Sequence, residues 1–219
     1  MGHSTQLTAA DGRVFTAHLA EPSGKPRGGI VVIQEIFGVT RHIRDVAAQY
    51  AGEGYVAIAP ASFDRVEPGV EVPYGDSQEA YGYVKALKHD ETMLDIQAAA
   101  DHVRPNGKVG VVGYCWGGQL AFLAAAHASI DAAVVYYGGG IDRQLAHVPR
   151  VPVMFHFGEK DTHIPLSAVD AIRKAHPRGI YHLYPAGHGF NCTDRASFDA
   201  PSAKLALDRS VEFFRQNIG

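Results

Sequence analysis

Cys115 and Cys192 are the only two cysteines in the chain, and the first stands in a setting that suits chemistry. It lies within Gly113-Tyr114-Cys115-Trp116-Gly117-Gly118, between the apolar, β-branched run Val109–Val112 and an Ala/Leu-rich stretch beginning at Leu120. That order reads as strand, very tight turn, helix, with Cys115 at the apex. Such a turn forces its apex residue into an unfavourable backbone conformation, so small residues are needed two positions before and two after it. Gly113 and Gly117 supply them. A helix starting near Trp116 aims free N–H groups and the positive end of its dipole at the sulfur, which favours an anionic nucleophile. A buried, inert cysteine is the plain alternative, but nothing about packing alone calls for glycines around a thiol.

A cysteine nucleophile needs a base, and the base needs an orienting acid. Asp161 follows the apolar run 151–157 through Gly158-Glu159-Lys160, and His188 follows the run 179–184 through Pro185-Ala186-Gly187. Nucleophile, acid, base is the chain order of the α/β-hydrolase fold, whose elbow has the pattern G-x-nucleophile-x-G. Cys115 is therefore read as nucleophile, His188 as general base and then general acid, and Asp161 as the group fixing the His188 tautomer. Glu159 rivals Asp161, and His163 and His182 are weaker rivals of His188. His182 lies inside a strand and would point to a sheet face.

Glu35 closes the run Gly29–Gln34 and precedes Ile36-Phe37-Gly38, where this fold draws its second oxyanion donor. The backbone N–H groups of Ile36 and Trp116 are the candidate oxyanion hole. A carboxylate at a buried strand end needs a partner. Glu35 is expected to contact the Cys115 thiol or an arginine, with an ion pair to Arg41 or Arg44 as the structural alternative. Phe37, Tyr81 and Tyr137, with Trp116, are candidate walls of a substrate pocket, although aromatic core is the commoner fate of such residues.

The elements that must position these groups alternate along the chain. Strands are predicted at 13–19, 29–35, 55–60, 109–112, 132–137, 151–157 and 179–184, and Thr40 is placed to cap a helix ending at Gly52–Gly54. Residues 61–75 form a long Pro/Gly-bearing connection, two helices span about 76–88 and 90–104, and further helices cover 117–127, 166–175 and 201–217. The last carries Leu205, Leu207, Val211 and Phe214 among its apolar positions. This alternation argues for a mostly parallel sheet with helices on both faces and functional groups just beyond the strands' carboxyl ends.

The chain has 219 residues, 46% hydrophobic and 20% charged, which suits a single α/β domain over 1–219. A net charge of -3 argues against nucleic-acid and membrane-surface partners. No apolar run reaches membrane-span length, and too few cysteines for a disulfide scaffold make a reducing cytoplasm the default. H-E-x-x-H and paired C-x-x-C spacings are absent, so no metal and no cofactor is expected. A monomer or small homo-oligomer acting on a small molecule is the expectation.

Taken together, Gln34-Glu35-Ile36-Phe37-Gly38, the Cys115 elbow, the Asp161 loop and Gly187-His188-Gly189-Phe190 resemble the dienelactone hydrolases (carboxymethylenebutenolidases) over nearly the whole chain. The resemblance implies a Cys-Asp-His triad and hydrolysis of a lactone or ester through an acyl-thioester. It also implies that the glutamate matching Glu35 holds the resting thiol. The two arginines with which such enzymes bind the substrate carboxylate match Ser77 and Cys192 here, leaving Arg65 and Arg195 as candidate replacements. Gly113-Tyr114-Cys115-Trp116-Gly117-Gly118-Gln119 is also similar to the G-x-C-x-G-x-Q of glutamine amidotransferases, but their late His-x-Glu is missing, with His176-Pro177-Arg178 instead. A non-catalytic binder on the same fold is the remaining rival; its signature would be a broken triad, and none is visible.

Overall fold

Every residue of the strands β3 (Gly29–Ile33), β4 (Val56–Pro60), β5 (Val109–Tyr114), β6 (Ala132–Tyr136) and β7 (Val153–Gly158) is buried. Successive side chains in a strand point to opposite faces, so these apolar runs are covered on both sides, as a parallel sheet requires. The computed structural model describes residues 2–219. With β1 (His3–Thr8), β2 (Val14–Ala20) and β8 (Ile180–Tyr184), the strands form one sheet ordered β1-β2-β4-β3-β5-β6-β7-β8. β4 through β8 run parallel, while β2 pairs antiparallel with both β1 and β4 at one edge. The helices are α1 (Arg41–Gly52), α2 (Ser77–Ala86), α3 (His89–Val103), α4 (Trp116–His127), α5 (Leu166–Ala175) and α6 (Ala200–Ile218).

Strand order sets where chemistry can occur. From β3 the chain goes to β4 on one side and then to β5 on the other, so the β3/β5 boundary is a topological switch point. Ile33 pairs with Gly113 across it, which brings the segments after both strands, Glu35–Gly38 and Cys115–Gly118, side by side. Gly158 pairs with Tyr184 in the same way, so the loops bearing Asp161 and His188 leave adjacent strands.

Some expectations need correction. β1 was not expected: its mixed polar sequence, His-Ser-Thr-Gln-Leu-Thr, has no continuous apolar signature and depends on the β2 hairpin. Thr40 flanks α1, but its hydroxyl bonds the Tyr74 hydroxyl at 2.9 Å and makes no capping bond. Leu205 is 44% exposed, so the buried stripe of α6 runs instead through Ala206, Val211, Phe213 and Phe214. The 61–75 connection is partly built inward: a 3-10 turn at Ser62–Arg65 buries Phe63, whose ring stacks on Trp116 at 6.1 Å.

Candidate active site

The elbow has the geometry its glycines imply. Cys115 has φ 55° and ψ -116°, a left-handed conformation that non-glycine residues rarely adopt. Its N–H donates to Tyr136 O at 3.0 Å, and its carbonyl accepts from Gly118 N at 2.9 Å, so both neighbouring elements hold the strained residue. A Cβ on Gly113 would collide with the Gly117 carbonyl, and one on Gly117 with the carbonyls of Ile33 and Gln34. The turn can therefore close only without side chains at those positions.

The structure brings Cys115, Asp161 and His188 together. His188 Nε2 lies 3.1 Å from Cys115 Sγ. On the other side of the ring, Nδ1–H donates to Asp161 Oδ2 at 2.7 Å. Asp161 Oδ1 accepts from the N–H groups of His163 at 2.8 Å and Ile164 at 3.1 Å, which fixes the carboxylate plane. Burial opposes charge on His188, but the Asp161 hydrogen bond and the Cys115 sulfur outweigh it and push the imidazole up to about 10. Burial likewise works against the Asp161 charge, yet His188 and the two backbone donors hold its carboxyl below the usual value. Proton transfer between Sγ and Nε2, with Nδ1 tied to a carboxylate, is within reach of this arrangement. Glu159 is exposed, and His163 packs edge-on to His188 at 5.0 Å between ring centres.

Glu35 is 1% exposed, and neither carboxylate oxygen has a hydrogen-bond partner among the described residues. Burial pushes its carboxyl up, with Arg195, His188, Tyr74 and Cys192 acting against that. The alternative pairing with Arg41 or Arg44 does not form, because Arg41 lies against Asp45 and Arg44 against Glu71. The arginine beside Glu35 is Arg195, at 3.7 Å, its guanidinium 5.8 Å above the Phe37 ring. Arg65 is bound by both Asp95 oxygens at 2.7 Å and by Asp11 at 2.8 Å, so it is not free to receive a ligand. Ser77 is exposed at the first turn of α2, and Cys192 is buried.

Neither the Ile36 nor the Trp116 backbone N–H finds an acceptor among the described residues. Of the aromatic candidates, Tyr81 is the open one, 47% exposed. Phe37 and Tyr137 are buried, and Tyr137 sets its ring edge-on to His188 at 5.2 Å. Tyr137 also has φ 37°, a strained end to β6 that no sequence signal marked. Buried His42 near Glu35 was not singled out either: on α1 it reads as an ordinary amphipathic position.

The sheet and its strand–turn–helix elbow define an α/β-hydrolase. A model of the Dienelactone hydrolase family matches residues 15–218. A carboxymethylenebutenolidase of Pseudomonas putida is 38% identical over 94% of this chain and 93% of its own length. Another, from Pseudomonas sp. (strain P51), is 33% identical over 96% and 93%. A crystal structure from Klebsiella pneumoniae subsp. pneumoniae superposes with a TM-score of 0.86 at 29% identity, covering 99% of both chains. The chain belongs to the dienelactone hydrolase family and is a hydrolase of the ester and lactone class.

Proposed function

We propose that this hydrolase, acting as one cytoplasmic domain, opens a small lactone or ester by a Cys115–His188–Asp161 triad. Sγ of Cys115 attacks the carbonyl carbon while His188 Nε2 holds the sulfur's proton, and the oxyanion is met by the N–H groups of Ile36 and Trp116. His188 then protonates the departing oxygen as the C–O bond breaks, leaving an acyl-thioester. Water attacks that thioester, giving its proton to His188; the acid is released and the thiol restored. Asp161 keeps Nδ1 protonated throughout and balances the imidazolium. Glu35 is a positioning residue at the back of the site, with Phe37 and Tyr137 behind the reacting groups and Tyr81 at the mouth.

The observation carrying this reading is a single imidazole bridging the elbow sulfur at 3.1 Å and a buried carboxylate at 2.7 Å. The relatives named carboxymethylenebutenolidase make a lactone with a carboxylate the first substrate to test, and Arg195 is the cation nearest the site to receive it. Wild type and Cys115→Ala should be compared on dienelactone and on a short-chain aryl ester. Turnover by the wild type alone supports the mechanism. Equal rates in the two proteins, or binding of either compound without turnover, refute it. The dienelactone result tells whether Arg195 does the work of the arginines missing at Ser77 and Cys192.

A further inference from the structure

Three different elements deliver three metal-capable side chains to one buried point. Glu35 comes from the end of β3, His42 from the first turn of α1, and Cys192 from the loop that follows His188. One ligand atom from each lies within 4.8 Å of the others, and all three residues are buried. Both Glu35 oxygens and His42 Nε2 lack any hydrogen-bond partner among the described residues, although buried polar atoms are normally paired. Buried polar atoms from separate elements, unsatisfied around one point, are what a bound cation would satisfy.

We propose that Glu35, His42 and Cys192 form a binding site for a zinc-class divalent metal ion, distinct from the Cys115–His188 pair. The donor set is one oxygen, one nitrogen and one sulfur, which suits Zn2+ and its neighbours and excludes the all-oxygen preference of Ca2+ and Mg2+. The charges also balance: one carboxylate, one thiolate and a neutral imidazole around a doubly charged ion leave a buried site with no net charge. Zinc–ligand bonds of about 2.0–2.3 Å require the donors to draw in by roughly 1 Å, and leave a fourth position for water. Thiolate ligation by Cys192 releases the thiol proton to solvent, so binding tightens as pH rises. Arg195, only loosely placed at 3.7 Å, is the cation the metal would replace beside Glu35. On the hydrolase reading, an occupied site withdraws Glu35 from the reacting centre, so the ion acts as an inhibitor.

Co2+ added to the full chain gives the test, because cobalt reports thiolate ligation through a sulfur-to-metal charge-transfer absorption. The wild type and Cys115→Ser should both develop that band with one equivalent of Co2+ and lose it to Zn2+, while Cys192→Ser should not develop it. No band in the wild type overturns the site. A band kept by Cys192→Ser and lost in Cys115→Ser also overturns it, by placing the metal on the reacting pair. Should Cys192→Ser fail to fold, His42→Asn in the Cys115→Ser background carries the same test. At least a tenfold weaker affinity for Co2+ supports the site, and unchanged affinity overturns it. Failure of the hydrolase reading would appear separately, as absent ester turnover with the cobalt band intact.

Discussion

In Asp161→Asn the side chain keeps its shape but loses its charge. The N–H groups of His163 and Ile164, at 2.8 and 3.1 Å, require an acceptor at Oδ1, so the amide oxygen must take that position. The NH2 group then falls where Oδ2 was, 2.7 Å from His188 Nδ1. An amide nitrogen can only donate, so Nδ1 must accept, Nε2 carries the ring proton, and the base can no longer take a proton from Sγ. Raising the imidazole from 6.5 to about 10 corresponds to roughly 5 kcal/mol in favour of its charged form, net of burial. Losing the carboxylate that supports this charge, and with it efficient general-base catalysis, costs about 100-fold or more in rate. The reversed tautomer extends the loss toward about 10,000-fold. The expectation is that kcat/KM for an aryl ester falls within that range, mostly in kcat, in a variant that stays folded but melts somewhat lower because the imidazolium loses its partner. A folded variant losing less than tenfold, or losing only through KM, would refute the assignment of Asp161.

Two further predictions concern what holds the fold around the site. Arg65→Ala leaves Asp95, 0% exposed, without its bidentate partner and should cost about 3–5 kcal/mol in denaturant unfolding. Arg65→Met with Asp95→Leu should restore most of that stability and retain ester turnover, whereas a single variant costing less than about 1 kcal/mol would show the pair to be dispensable. The second concerns acid. Burial holds His42 at about 4 and His156 well below the ordinary imidazole value, so the unfolded chain takes up protons first as pH falls. The stability they confer is complete above about pH 6.5 and is lost as pH drops through their folded values, with His42 accounting for roughly 3 kcal/mol by pH 4. His188 has the opposite sign: its contribution is full below about 6.5 and is lost as pH rises through about 10. Melting temperatures in chelator-containing buffer should therefore fall on both sides of neutrality. His42→Asn should flatten only the acid limb, and an unchanged acid limb would assign that loss to other groups.

What the sequence made legible, and what it hid, divides along the chain by the range of the interactions involved. The elbow could be read because its constraint is local: Cys115 at φ 55° and the space denied at Gly113 and Gly117 are demands a few neighbouring residues must meet. The buried strands were legible for the same reason, since burial on both faces leaves an unbroken apolar run. Asp161 and His188 followed from their place after β7 and β8. The partners of charged side chains were not legible. Arg65 meets Asp95, and Glu35 meets Arg195 in place of Arg41 or Arg44, through loops that carry no periodicity. β1 was missed because an edge strand with one solvated face need not be apolar.

The loop between β8 and α6 delivers His188 to the sulfur and also carries Cys192 and Arg195 to Glu35. One segment thus supplies both the proposed base and groups that set the charge around Glu35. On the proposed mechanism, ester hydrolysis depends on the groups held just beyond the strand ends, Cys115, Asp161 and His188. On the same reading the choice of acyl group falls to this loop, where Cys192 and Arg195 border Glu35 and Arg195 stands 3.7 Å from its carboxylate without a hydrogen bond. Changes in substrate preference should therefore map to Cys192 and Arg195, while changes at Cys115, Asp161 or His188 should remove turnover of every ester alike.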